Sequence, residues 1–170
     1  MKNNSSYKII ETRPQEIMSL DFVKNYIRIS HNNDDALIVE MIEAAMDAAE
    51  NYIAMALKLK IVETVIYNAN EIWLPLIPVA RILEVKSDDI VLRDDDFIIR
   101  GPRIRLEKLT KTQKLEVRYI AGYEDPKHIP TSVKHGILIH VTQLYDNRGN
   151  PSVFTDRIFE IYRPYRKRNI

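Results

Sequence analysis

The chain has 170 residues, 45% apolar and 29% charged, with 25 basic residues against 24 acidic ones and no cysteine. That length and mix describe one globular domain able to bury a core without staples, while disulfides and thiolate metal sites are excluded. No apolar run approaches the roughly 20 residues of a bilayer-spanning helix, and a net charge of +1 lacks the basic excess of a protein whose main work is gripping phosphates.

Residues 1–16 are polar, have no apolar core that would make them a secretory signal, and read as a flexible N-terminal arm. Ser19 is an N-cap for a short helix to about Ile27, with Leu20, Val23 and Ile27 on one stripe. Asn33 or Asp34 then caps a long helix from about Asp35 to Leu57. Its stripe of Ile38, Met41, Ile42, Ala45, Ala48, Ala49, Tyr52 and Ala56 is rich in small residues that allow close helix contact.

The period changes at Ile61. Ile61–Tyr67 is β-branched and aromatic, Asn68-Ala69-Asn70 turns the chain, and Pro75 and Pro78 rule out helix. Short alternating runs follow at Val79–Lys86, Ile90–Leu92 and Ile104–Leu106, with turns at Asp94-Asp95-Asp96 and Gly101-Pro102. Leu115, Val117 and Tyr119 alternate with Glu116 and Arg118 in a last strand, and Gly122 stands where a chain leaving a sheet often needs positive φ. Pro130 opens an amphipathic helix carrying Val133, Ile137, Val141, Leu144 and Tyr145, and Gly149 with Pro151 closes it. The expected fold is α+β: an N-terminal helix pair, a central antiparallel β meander of short strands and a C-terminal amphipathic helix. Residues 17–150 form its single domain and 151–170 a C-terminal arm.

A search for chemistry finds little. His135 and His140 lie five residues apart on one helix and diverge by about 140°; His31 and His128 sit alone in loops, so surface or interface histidines fit better than metal ligands. Three consecutive aspartates at Asp94–Asp96 do not converge on a cation and read as a solvated turn. Negative charge at Asp34-Asp35 suits a first helical turn. Neither a nucleophile elbow, a phosphate-binding lysine loop nor a dinucleotide glycine motif is present. No catalytic, cofactor-binding or metal-binding residues are assigned, and the chain reads as a non-enzyme that needs no cofactor. The tail interleaves Tyr162, Arg163, Tyr165, Arg166, Lys167 and Arg168, a mix that can stack on single-stranded nucleic acid or anchor a protein contact. Pro164 and Ile158-Phe159 make it an extended apolar peptide, which favours protein docking.

Several stretches resemble one family. Tyr119, Ala121, Gly122 and Tyr123, the Pro130 helix start, the Leu144-Tyr145-Asp146-Asn147-Arg148 finish, Leu74-Pro75 with Pro78-Val79, and the closing Tyr162-Arg163-Pro164-Tyr165-Arg166 are similar to motifs of tailed-phage head–tail connectors. The N-terminal half agrees through Ser19-Leu20, Lys24, Ile27-Arg28-Ile29 and Asp34-Asp35, so the resemblance runs from about Ser19 to Arg166. Gly136 departs from it, at a position where alanine is more usual. So does Asp146, in place of glutamate.

The resemblance implies a structural virion assembly protein, made in the host cytoplasm and ending in the virion. Its subunits would close into a ring, a dodecamer, beneath the portal protein. That ring would extend the DNA exit channel and offer a docking face to a tail or stopper protein, passing DNA without sequence-specific binding and without a membrane partner. Residues from Arg157 to Arg168 are basic while the first helix pair is acidic, a polarity suited to head-to-tail contacts between like subunits. Docking is assigned to Ile158, Ile161, Tyr162, Arg163, Tyr165 and Arg166 in an arm that a truncation after Asn150 should remove without unfolding the domain. Tyr145 and Arg148 share one helix face, and Arg148 is expected to fix the first helix pair by pairing with a carboxylate or with carbonyls. The alternative is an oligomeric nucleic-acid-binding packaging or regulatory protein.

Overall fold

A computed structural model describes residues 6–107, 112–148 and 156–166. They fall into two compact units: Met1–Gln15 with Lys58–Glu124, which is β, and Glu16–Leu57 with Asp125–Ile170, which is helical. The α+β class holds, with two helices first, antiparallel strands in the middle and helices last.

The β unit is built on a five-stranded antiparallel sheet in the order β1-β2-β8-β4-β5, from β1 (Ser6–Thr12), β2 (Lys60–Ala69), β4 (Val79–Ser87), β5 (Ile90–Val91) and β8 (Thr112–Ala121). Strands adjacent in sequence are not all adjacent in space, because β8 inserts between β2 and β4. Its alternation puts Leu115, Val117 and Tyr119, all fully buried, on one face beside Ile66, Thr64 and Val62 of β2. A second sheet of β3 (Glu71–Trp73), β7 (Arg103–Leu106) and β6 (Phe97–Arg100) adds buried Ile72, Ile104, Leu106 and Phe97.

Tyr119 ties this core to the proline-bearing loop. Its hydroxyl donates to Leu76 O and accepts from Leu76 N, each at 3.1 Å, and burial pushes the phenol up to about 12. Gly122 has φ +113°, and a Cβ there would lie 2.2 Å from Lys58 O. The positive φ expected at this position is therefore joined by a backbone crossing that admits only glycine.

One sequence boundary changes here. Residues 1–16 were expected as a flexible arm, yet Ser6–Thr12 pairs along β2, and Gln15 links both ends of the unit. Its Nε2 donates to Tyr123 O at 2.8 Å, and its Oε1 accepts from Leu59 N at 3.1 Å. The polar composition of the segment hid a strand that needs a neighbour's ladder rather than a core face of its own.

In the helical unit, α1 (Leu20–Ile27) is capped by Ser19 Oγ, which accepts from Phe22 N at 3.3 Å. The second helix, α2 (Asp35–Ile53), stops four residues earlier than its stripe suggests, at Ala54 with φ 55°. The Glu50 carboxylate, nearly buried, accepts the Leu57 N–H at 2.6 Å and holds the chain as it leaves the helix. The third, α3 (Thr131–Asp146), starts after Pro130 as expected. It buries Val133, Ile137, Val141 and also His140, which is a core residue and not the surface or interface histidine expected from sequence. Desolvation lowers its pKa, favouring neutral imidazole.

Candidate assembly site

The C-terminal end of α3 meets the start of α2 through a cluster of three residues. Asp34 occupies the N-cap position but makes no side-chain capping bond. Its Oδ2 instead accepts the Tyr145 hydroxyl at 2.5 Å and lies 3.3 Å from Arg148 Nη2. The Arg148 guanidinium stands 3.9 Å from the Tyr145 ring centroid, and its Nε donates to Tyr145 O at 3.1 Å. The Tyr145 hydrogen bond, then the charges of Arg148 and His31, hold the Asp34 carboxyl below its ordinary range, and the same bond raises the Tyr145 phenol. At i, i+3 spacing, Tyr145 and Arg148 both reach the Asp34 carboxylate. Arg148 remains 47% exposed, so the pair is a surface latch and not a buried ion pair.

A companion contact joins Lys24 and Asp35, which the sequence marked as parts of the connector resemblance without pairing them. Lys24, 7% exposed, donates from Nζ to Asn32 Oδ1 at 2.7 Å and Asp35 Oδ1 at 2.6 Å. It pins the α1–α2 connection to the first turn of α2. Only the chain reversal after α1 brings a lysine of one helix to the next helix's N-terminus.

The tail requires a correction. A last short helix, α4 (Asp156–Tyr162), packs on α2 and α3, followed by a 3₁₀ turn at Arg163–Tyr165. Ile158 and Tyr162, assigned to docking from sequence, are fully buried. Tyr162 lies against Gly136: a Cβ on that glycine would stand 2.5 Å from the ring. The glycine that departs from the connector pattern is thus the seat of a tyrosine ring. Phe159 packs on Tyr52 at 4.6 Å between centroids, Tyr165 shares a 2.5 Å hydrogen bond with Ser132, and the Arg166 guanidinium sits 5.2 Å from the Tyr52 ring centroid. Apolar residues at Ile158 and Tyr162 were read as an anchor for another protein because no core partner was visible in sequence; α2 and α3 supply it. Of the six assigned positions, Arg163 and Arg166 are exposed and Ile161 and Tyr165 partly so. Arg163 pairs with Glu160 at 2.8 Å on the surface. Lys167 and Arg168 lie outside the described residues.

Among the described residues no group of three or more His, Asp or Glu side chains could hold a metal ion, and no helix is long and apolar enough to cross a membrane. Asp94–Asp96 forms a 3₁₀ turn in which Asp96 Oδ2 accepts the Arg93 N–H at 3.1 Å. One polar cleft of about 230 Å³ lies in the β unit, lined by Ile98, Arg100, Arg103, Arg105, Leu106 and Glu107. Arg103 there is already bonded to Glu71 and lies 5.7 Å from the Trp73 ring centroid.

Comparison with known proteins gives a consistent picture. Residues 17–91 match the family described as phage gp6-like head-tail connector protein. Among curated proteins no sequence matches. Three similar solved chains come from gene transfer agent (GTA) particles. One, from the neck of an empty particle computed with C6 symmetry, has TM-score 0.75 and 15% identity over 97% of both chains. Another, from the virion of the native particle, has TM-score 0.76 and 15% identity over 96% of both. A third, from the native neck computed with C12 symmetry, has TM-score 0.74 and 14% identity over 97% of both. The connector resemblance is borne out: over residues 17–91 this chain is similar to the phage head–tail connectors, a structural family, and along 97% of its length it shares the fold of a chain from a gene transfer agent particle's neck.

Proposed function

We propose that the protein is a head–tail connector subunit. It would form a ring beneath the portal, lengthen the DNA exit channel and present a docking face to a tail or stopper protein. The observation that carries this reading is the family match over residues 17–91 joined to a neck-protein fold along 97% of the chain. The physical features agree with it. The net charge of +1 lets DNA pass a channel wall without being held. Among the described residues, the polar clusters around Asp34, Lys24 and Gln15 join structural elements. Partner docking falls to the exposed remnant of the tail, Ile161, Arg163 and Arg166, carried on a helix locked to the core by Ile158 and Tyr162. A docking element with a rigid base loses less entropy on binding than a free arm.

The test is genetic and microscopic. Particles made without this gene should accumulate as filled heads and separate tails, and purified protein added back should restore joining. Normal tailed particles in its absence would refute the proposal.

One feature favours the alternative, nucleic-acid binding. The strand register puts Trp73, Arg100, Arg103 and Arg105 on one face of the three-stranded sheet, an aromatic and basic surface of the sort that contacts single strands. Mobility shifts across a salt series separate the readings. Tight binding with a steep salt slope supports nucleic-acid binding, whereas no binding at low salt leaves the connector alone.

A further inference from the structure

The five-stranded sheet has two open edges that complement one another. On one side β1 is exposed along its whole length, including Tyr7, Ile9 and Ile10. On the other, β5 pairs with β4 at Lys86 and Ser87 and the following Leu92 N donates to Val85 O at 2.9 Å, so no described strand covers the outer side of β4 from Val79 to Glu84. The register across the four long strands defines rows. One runs Lys8, Glu63, Arg118, Glu84; a second runs Glu11, Ile61, Ile120, Arg81; between them lies Ile9, Val62, Tyr119, Ile82. The first row begins basic and ends acidic, the second begins acidic and ends basic, and the third is apolar at both ends.

Both edges carry a bulge at the matching position. An extra residue, Ile10, separates Ile9 from Glu11 in β1, and another, Leu83, separates Ile82 from Glu84 in β4, which has a second bulge between Val79 and Arg81, beyond the matched rows. These bulges bring residues three apart onto one face of each strand: Lys8 with Glu11, and Arg81 with Glu84. Laid antiparallel, the two edges match Lys8 with Glu84, Ile9 with Ile82, and Glu11 with Arg81. Strand direction permits this alignment. Alternating antiparallel pairing through β1, β2, β8 and β4 leaves the two edges running oppositely. A second copy in the same orientation therefore adds its β1 antiparallel to β4, the more stable ladder.

We infer that β1 of one copy pairs with the open edge of β4 in the next, continuing the sheet from subunit to subunit. The contact is heterologous, as a closed ring of like subunits requires, and rests on the connector reading proposed above. Within one chain Glu84 meets Lys86 at 2.6 Å and Arg81 meets Glu124 at 3.5 Å, both at the surface. These are weak pairs that a cross-strand partner can exchange for. The bland rival is that Lys8 and Glu11 are charges that keep a bare edge from pairing at all.

The absence of cysteine makes the test direct. Lys8→Cys and Glu84→Cys in one chain cannot join within a molecule, because two strands intervene and the edges stand about 14 Å apart. Under mild oxidation of concentrated protein and of assembled particles, the double variant should give a ladder of cross-linked multimers, while either single variant gives none. Lys8→Glu should abolish assembly, and adding Glu84→Lys should restore it. Oligomers seen by sedimentation without a Lys8–Glu84 ladder, or without rescue by the charge swap, overturn the edge pairing and leave the connector proposal standing. Protein that stays monomeric, gives no ladder and is absent from particle necks overturns both.

Discussion

Gly136 offers the sharpest test of the helical unit. In an exposed helix interior, replacing glycine by alanine gains about 1 kcal/mol. Here the new methyl would stand 2.5 Å from Tyr162 Cε1 and 2.9 Å from Cζ, well inside contact distance. The Tyr162 ring is fully buried, so it can yield only by moving against its packed neighbours. Overpacking of this kind costs about 1–3 kcal/mol, so Gly136→Ala should be neutral or destabilise by up to about 2 kcal/mol. Tyr162→Ala alone should cost about 3–5 kcal/mol. In that background the clash is gone, and Gly136→Ala should recover its helix-propensity gain. The coupling between the two sites is then about 1–3 kcal/mol, read from urea midpoints at constant m. If Gly136→Ala stabilises the full chain by the propensity amount, or the two changes are additive, the ring does not pack on this glycine and α4 is not docked as described.

Three further outcomes follow from the same contacts. Truncation after Asn150 removes buried Ile158 and Tyr162, so the helical unit should lose cooperative melting by circular dichroism; retention of the full-length midpoint would restore the idea of a detachable arm. Lys24→Met keeps the apolar stem but loses two charge-assisted hydrogen bonds and should cost about 1–2 kcal/mol, reduced because Asp35 can rehydrate; no shift in midpoint would make the contact incidental. The Asp34 latch should be acid-labile. Its folded pKa lies below the ordinary 3.8, so its contribution is complete above that value and disappears as pH falls through the depressed one. The stability gap between wild type and Tyr145→Phe should therefore hold steady above the ordinary 3.8 and shrink as pH falls below it, and a gap unchanged in acid would show that the latch does not depend on the carboxylate.

The sequence by itself determined whatever depends on near neighbours. Alternation placed Leu115, Val117 and Tyr119 on a core face, Ser19 and Pro130 marked helix starts, Gly122 marked a positive-φ crossing, and the spacing of Tyr145 and Arg148 joined them on one helix face. Family motifs added the connector resemblance, because their order along the chain is itself a local record. Tertiary structure decided which surfaces have partners. Ile158 and Tyr162 look alike in sequence whether they anchor another protein or fill a groove between α2 and α3. Only the glycine at 136, more than 20 positions away, makes room for the ring. The strand at Ser6–Thr12 was hidden because all its residues are exposed, and an edge strand is held by another strand's backbone rather than by its own apolar pattern. The charged ends of the sheet rows were invisible for the same reason: register depends on pairing, and one residue of slip or one bulge moves every side chain to the other face.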